Sequence, residues 1–265
     1  MKWLGVAAAA GVLFCCGGGF AEDLSDQFMQ SRRPVIDVGA FMWFAASRGE
    51  TGYPSTFQGS DNRLDFRDDL GFGPSTSVPL GKVHIYLSQR WLMRLEYWQM
   101  QQQMPTTLQR NVVFGTRQFP QGSSVNTRNT VQSGDLIVGY QVPLKKNLDI
   151  IIVGGLNVFD FEQQLQAKTD SSEFHLTQTS SLLGVAGQYD FNSVVSLWSC
   201  SMGYLRRGLN ADEFLLRTDT ALQIRLFDTA RFSVGYKSFW ISAKDATCNF
   251  NYRLMGPYAG FSVAF

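Results

Sequence analysis

Polar and apolar residues alternate with period two along most of the chain, and the alternation runs long. In 214–227 one face carries Leu216, Thr218, Thr220, Leu222, Ile224 and Leu226, while the other carries Arg217, Asp219, Ala221, Gln223 and Arg225. About a dozen residues of strict alternation exceed most soluble strands and fit a tilted strand that crosses a bilayer. After Asp228-Thr229-Ala230 the pattern repeats, with Phe232, Val234, Tyr236, Ser238 and Trp240 opposing Arg231, Ser233, Gly235, Lys237 and Phe239. The whole pattern predicts about ten strands, at roughly 34–46, 76–89, 91–103, 124–143, 147–167, 173–191, 194–207, 213–227, 230–244 and 248–265, with eight or twelve as the alternatives. Residues 108–119 fit either a loop or a strand extension above the membrane.

The connections alternate in length. Gln89-Arg90, Leu144-Lys145-Lys146, Asn192-Ser193 and Asp228-Thr229 are tight, whereas 47–75 and 104–123 are long and polar. With an even strand count, short turns and both termini share one side. The mature chain has no apolar run of 18 residues, so no helical span is expected. Neither a domain boundary nor an internal repeat interrupts 22–265, which reads as one domain.

The first residues read as an export signal. Lys2 precedes an apolar stretch from Leu4 to Phe14, too short for a spanning helix, and small residues at Gly19 and Ala21 favour cleavage after Ala21. Cys15 and Cys16 follow Phe14 rather than a small residue, which argues against lipidation. In the mature chain from Glu22, Cys200 and Cys248 remain and are expected to be free thiols.

The last ten residues, Gly256 to Phe265, alternate up to a terminal aromatic: Ala259, Phe261, Val263 and Phe265 share one face, and Gly260, Ser262 and Ala264 the other. This resembles the terminal β-signal of bacterial outer-membrane proteins, with Phe261, Val263 and Phe265 as its residues. The resemblance is to the class of small outer-membrane barrels and covers essentially the whole mature chain. It implies an all-β fold, a closed antiparallel transmembrane barrel in the outer membrane. Its implied partners are outer-membrane lipid and lipopolysaccharide, the barrel-insertion machinery and periplasmic chaperones, around a monomer. Asp65-Phe-Arg-Asp-Asp-Leu-Gly-Phe72 resembles an Asp-Leu-Gly segment recurring in uncharacterised barrels of this class. Its acidic cluster, Asp65, Asp68 and Asp69, lacks ordered calcium-loop spacing and reads as a turn or strand cap.

Aromatics gather in two bands. Trp91, Tyr140, Tyr189, Phe191, Phe227 and Phe265 fall toward the short turns, and Phe44, Tyr97, Phe159, Phe174, Tyr204 and Trp240 toward the long loops. These are the expected girdles at the two membrane interfaces.

A lipid-facing Lys or Arg near mid-membrane costs about 2–4 kcal/mol, so the registers place the charges inward. The lumen set is Asp37, Lys82, His84, Arg94, Glu96, Asp135, Arg217, Asp219, Arg225, Arg231 and Lys237. Both signs are present, so salt bridges across a narrow lumen are expected, as a structural plug or as the lining of a narrow pore. Arg253 falls on the outward face near the long loops, and Pro257 interrupts a strand that should pair on both sides, for which a local bulge is the expectation.

Charged residues make up 17% of the chain and the net charge is +1, which leaves no electrostatic footprint for nucleic acid. No catalytic motif appears. Lipid A deacylases use a His-x-Ser pair, but His84 precedes Ile85-Tyr86 and His175 precedes Leu176-Thr177. Omptin-type proteases need an Asp-His pair, and no Asp-x-His occurs. Palmitoyl-transferring barrels are echoed only loosely by His175 with Ser180 or Ser181. No cofactor or metal is called for. The expected role is structural, or a narrow channel for small solutes or ions. The alternative is a surface-binding or lipid-modifying barrel acting through its long loops.

Overall fold

The computed structural model describes residues 35–52, 63–73, 75–115, 117–168, 170–207, 211–245 and 249–265. The expected signal segment, the mature start at Glu22, Cys248 and the middle of the first long loop lie outside the described residues.

Ten long strands form the wall: β1 (Val35–Gly52), β3 (Thr76–Tyr86), β4 (Trp91–Thr107), β7 (Ser124–Lys145), β8 (Leu148–Gln166), β9 (Ser171–Asp190), β10 (Val195–Arg207), β11 (Ala211–Arg225), β12 (Ala230–Asp245) and β13 (Asn249–Ala264). Each pairs antiparallel with its neighbours in chain order, and β13 pairs with β1 to close the sheet. Three short strands sit outside this count: β2 (Arg63–Asp65), which pairs antiparallel with the upper end of β1, and the hairpin of β5 (Val112–Phe114) and β6 (Arg117–Phe119). Closure is what lipid demands, because every backbone N–H and C=O in hydrocarbon must be paired.

The expected segments all appear, with two adjustments. β1 and β4 run on to Gly52 and Thr107, beyond the predicted ends, and 108–119 holds the β5–β6 hairpin rather than wall. The strands lengthen because alternation continues above the membrane: Ser47 and Thr51 still face inward and are buried.

Stepping between paired residues once around the barrel, from Ile36 through Met93, Leu183 and Trp240, returns to β1 at Arg48. A stagger of that size tilts the strands by about 40°. Four tight turns, at 87–90, 146–147, 191–194 and 226–229, lie at the end that also holds both ends of the described chain. There the Phe265 N–H donates to the Ile36 carbonyl at 2.8 Å.

The outer surface is an apolar belt including Val38, Leu95, Ile152, Leu156, Leu183, Val185 and Phe261, all exposed. In water such a surface would aggregate; it suits a lipid solvent. At the short-turn end Trp91 stacks edge-on with Tyr140, and Tyr189 with Phe191, each pair 5.0 Å apart. Toward the long loops Phe44 and Tyr97 are exposed, and Trp240 packs against Phe214. Phe159, Phe174 and Tyr204 do not belong to that girdle. They lie on the inward registers of β8, β9 and β10 and join the interior cluster.

Pro257 causes an interruption rather than a bulge. The β1–β13 ladder holds one register to Trp43–Tyr258 and resumes in the same register at Ala46–Met255. On the other side, Tyr236–Pro257 keeps its place in an unbroken β12–β13 ladder. The buried Trp43 indole Nε1 donates to the Gly256 carbonyl at 3.1 Å, beside the missing pairs. Only glycine fits at 256, since a Cβ would collide with the Phe44 carbonyl. Trp43→Phe keeps an aromatic ring but leaves that buried carbonyl without its donor. It should lower stability by about 1–3 kcal/mol, measured as a shift of the denaturant midpoint in detergent. An unchanged midpoint would mean that the indole does not compensate for the proline.

Candidate functional site

The buried charged side chains of the described residues gather in the interior. Lys82 on β3, Glu96 on β4 and Asp135 on β7 are consecutive partners in the ladders, so they stand side by side on one wall. Arg217 and Asp219 on β11 and Lys237 on β12 form a second group, Asp219 being paired with Lys237. The two groups meet across the lumen. Lys82 Nζ lies 2.7 Å from Asp219 Oδ2. Arg217 bonds both Glu96 and Asp135, and Lys237 bonds Glu96.

Glu96 beside Asp135 would repel on its own, as like charges opposite each other in a sheet do. The Arg217 fork answers both, which a point-charge ammonium could not do as well. Two neutral groups complete the layer: Tyr258 donates to Asp219 Oδ1 at 2.6 Å, and Asn157 donates to Asp135 Oδ1 at 2.8 Å. Lys82 also sits over the Tyr258 ring, 4.5 Å from its centroid. All six charged side chains are buried, Lys237 completely.

Above this layer, toward the long loops, the lumen is filled by aromatic rings. Trp43, Trp98 and Phe239 meet edge-on in sequence at 5.6 and 5.3 Å, and Phe159 stacks on Phe239 at 5.4 Å. Phe161, Phe250 and Tyr252 continue upward. The first loop caps them. Phe66 stacks flat on Phe161 at 5.6 Å, and Leu64, Leu70 and Phe72 are buried with it. Val112, Phe114 and Phe119 of the β5–β6 hairpin join the same cluster.

The acidic cluster of that loop explains its Asp-Leu-Gly segment. Asp65 Oδ1 accepts from the Arg67 and Asp68 N–H groups at 2.8 Å, and the Asp65 N–H donates to Asp69. Asp69 is then gripped by Arg110 of the second long loop at 2.7 Å. Leu70 is buried, and Gly71 turns the chain at φ 69°, a conformation that favours glycine. Asp65, Asp68 and Asp69 therefore shape a turn that presents apolar residues to the barrel.

The remaining members of the lumen set lie toward the short-turn end. Arg231 pairs with Asp37 at 3.4 Å. His84 and Arg94 line a chamber under the ion-pair layer, with Trp198, Cys200 and Gln223. Arg225, opposite Arg231 in the ladder, is half-buried at the end of β11 and outside the central network. The terminal residues Phe261, Val263 and Phe265 face outward and are exposed. Tyr258 and Asn157 were missed by sequence reasoning, although their inward parity was a usable signal.

One further grouping lies on the outer wall. Asp160 Oδ1 meets His175 Nε2 at 2.8 Å and accepts from the Thr177 hydroxyl at 2.6 Å. An Asp-His pair thus exists although no Asp-x-His occurs in the chain, because it joins β8 to β9. Thr177 also lies 3.3 Å from the same His175 Nε2. A carboxylate that orients an imidazole holds one ring nitrogen while the other activates the hydroxyl. Here both contacts fall on one nitrogen, so this is not a relay.

The ten-strand closure, the apolar belt and the filled interior with its charged layer decide the architecture. The fold is that of an outer-membrane β-barrel. Among solved structures the chain is similar to the outer membrane protease OmpT from Escherichia coli, 9% identical over 89% of this chain and all of that one, with a TM-score of 0.56. It is also similar to the translocator domain of the autotransporter NalP from Neisseria meningitidis, 10% identical over 91% and 92% of the two chains, with a TM-score of 0.46. At 9% identity the likeness to OmpT is one of fold. No protein-family model matches the chain, and no curated protein matches it.

Removing one member of a buried ion pair costs about 3–5 kcal/mol, because the partner is left charged and dry. Asp219→Ala strands Lys82 and deprives Tyr258 of its acceptor. It should destabilise the barrel by about that much in denaturant unfolding, whereas Lys82→Met combined with Asp219→Leu should cost less than the sum of the single changes. Additive losses would show that the pair is not coupled.

Proposed function

We propose that the protein is an integral outer-membrane barrel with a non-enzymatic, structural role and a lumen that does not conduct in this state. One observation carries this reading: the ion pairs run from wall to wall through the centre, with packed aromatic rings above them. A narrow channel would have to break buried pairs to pass an ion. The loops support the same reading, since they turn apolar side chains into the mouth. The chain reaches the membrane by export with cleavage after Ala21, with periplasmic chaperones, and inserts as a monomer through its C-terminal strand.

Lipopolysaccharide is the proposed lipid partner at the long-loop side. Arg48 and Arg253 stand directly opposite each other on the outer wall, both exposed, with Arg253 over the Trp240 ring at 5.5 Å. Facing guanidiniums repel unless an anion lies near, and the phosphates of the outer leaflet supply one.

In planar bilayers the wild-type protein should insert without steady conductance steps, insertion being verified by altered gel migration before boiling. Reproducible ohmic steps from folded protein would overturn the closed-lumen reading.

A further inference from the structure

We propose that the chamber beneath the ion-pair layer binds one small inorganic anion, of chloride size, held by Arg94. Among the described residues, eight charged side chains are buried: Asp37, Lys82, Arg94, Glu96, Asp135, Arg217, Asp219 and Lys237. Each of them except Arg94 has an ionic partner. The contact that Arg94 does make is a weak one, from its Nη2 to the Cys200 sulfur at 4.0 Å. Its Nε is buried without a hydrogen-bond partner, and so is Nε2 of the neighbouring His84.

A buried guanidinium without a carboxylate in direct contact is unfavourable, and a neutral water answers its hydrogen bonds but not its charge. The space beside it is the right size for a monatomic anion. Two adjoining voids of about 20 and 30 Å³ share His84, Arg94, Trp198 and Gln223 as walls. A water needs about 10–15 Å³, so the smaller void takes one or two water-sized occupants, the larger two or three, and neither takes a bulky phosphate ester. The charge around the voids favours an anion. Lys82 and Arg231 border them, and the nearby carboxylates are already paired: Asp219 with Lys82, Asp37 with Arg231, and Glu96 with Arg217 and Lys237. The ion-pair layer blocks the other direction, so the ion enters from the short-turn end.

The test is thermal unfolding of the full barrel in detergent, with chloride replaced by gluconate at constant ionic strength. A ligand that binds only the folded state raises the midpoint with its concentration. The wild type should unfold several degrees higher in chloride, and Arg94→Met should unfold at the same temperature in both salts. Coincident wild-type midpoints, or a chloride shift that survives in Arg94→Met, would overturn the proposal. Bromide-soaked wild-type crystals give a reading that needs no variant to fold. An anomalous peak against the Arg94 guanidinium is expected, and a chamber without one would overturn the assignment.

Discussion

Charges that cannot face lipid must find partners inside a barrel only ten strands wide. That constraint organises the molecule. On one wall Lys82, Glu96 and Asp135 stand abreast, and on the other Arg217, Asp219 and Lys237 do. Neither group is satisfied by its own wall, because Glu96 adjoins a like charge. Satisfaction comes through the lumen, so each central ion pair is also a tie between distant strands. A one-residue slip of β11 would turn Arg217 and Asp219 toward lipid, strand Asp135 and Lys82, and leave Glu96 with Lys237 alone. The register is thereby fixed by chemistry as well as by the tight turns.

The same constraint divides the interior into levels. Below the ties lies a small chamber of mixed polar and apolar lining, reached from the short-turn end, and above them lies a packed aromatic stack. The first loop belongs to that stack as much as to the surface. Its acidic residues hold a compact turn, and Arg110 ties that turn to the second loop, so that Phe66 and Leu70 close the mouth. The loops thus continue the packing of the wall, and the closed lumen follows from both.

Much of this was legible in the chain because period-two alternation is a local property. The strands, the even count, the side of the short turns and the inward parity of Arg217, Asp219 and Lys237 all follow from neighbours in sequence. What crosses the barrel was not legible. The partner of Lys82 depends on a twelve-residue stagger accumulated around all ten strands, which no single hairpin reveals. Phe159, Phe174 and Tyr204 were assigned to an outer girdle by their height alone, and parity sends them inside. The Asp160–His175 pair escaped a search for adjacent residues because it joins two strands. Leu64, Phe66, Leu70 and Phe72 were apolar residues in a loop judged by its acids, and their spacing was the overlooked signal.

The central claim is that the ion-pair layer is dry and closes the lumen, and lysine ammonium protons report on it directly. With ¹⁵N-labelled lysine in detergent micelles, NMR measures how fast each Nζ–H exchanges with water. Lys82 and Lys237, both held in buried pairs, should show persistent, slowly exchanging ammonium signals, whereas the exposed Lys145 and Lys146 at a turn should exchange too fast to be seen. Equal, fast exchange at all four lysines would show a hydrated lumen and contradict the closed-barrel account.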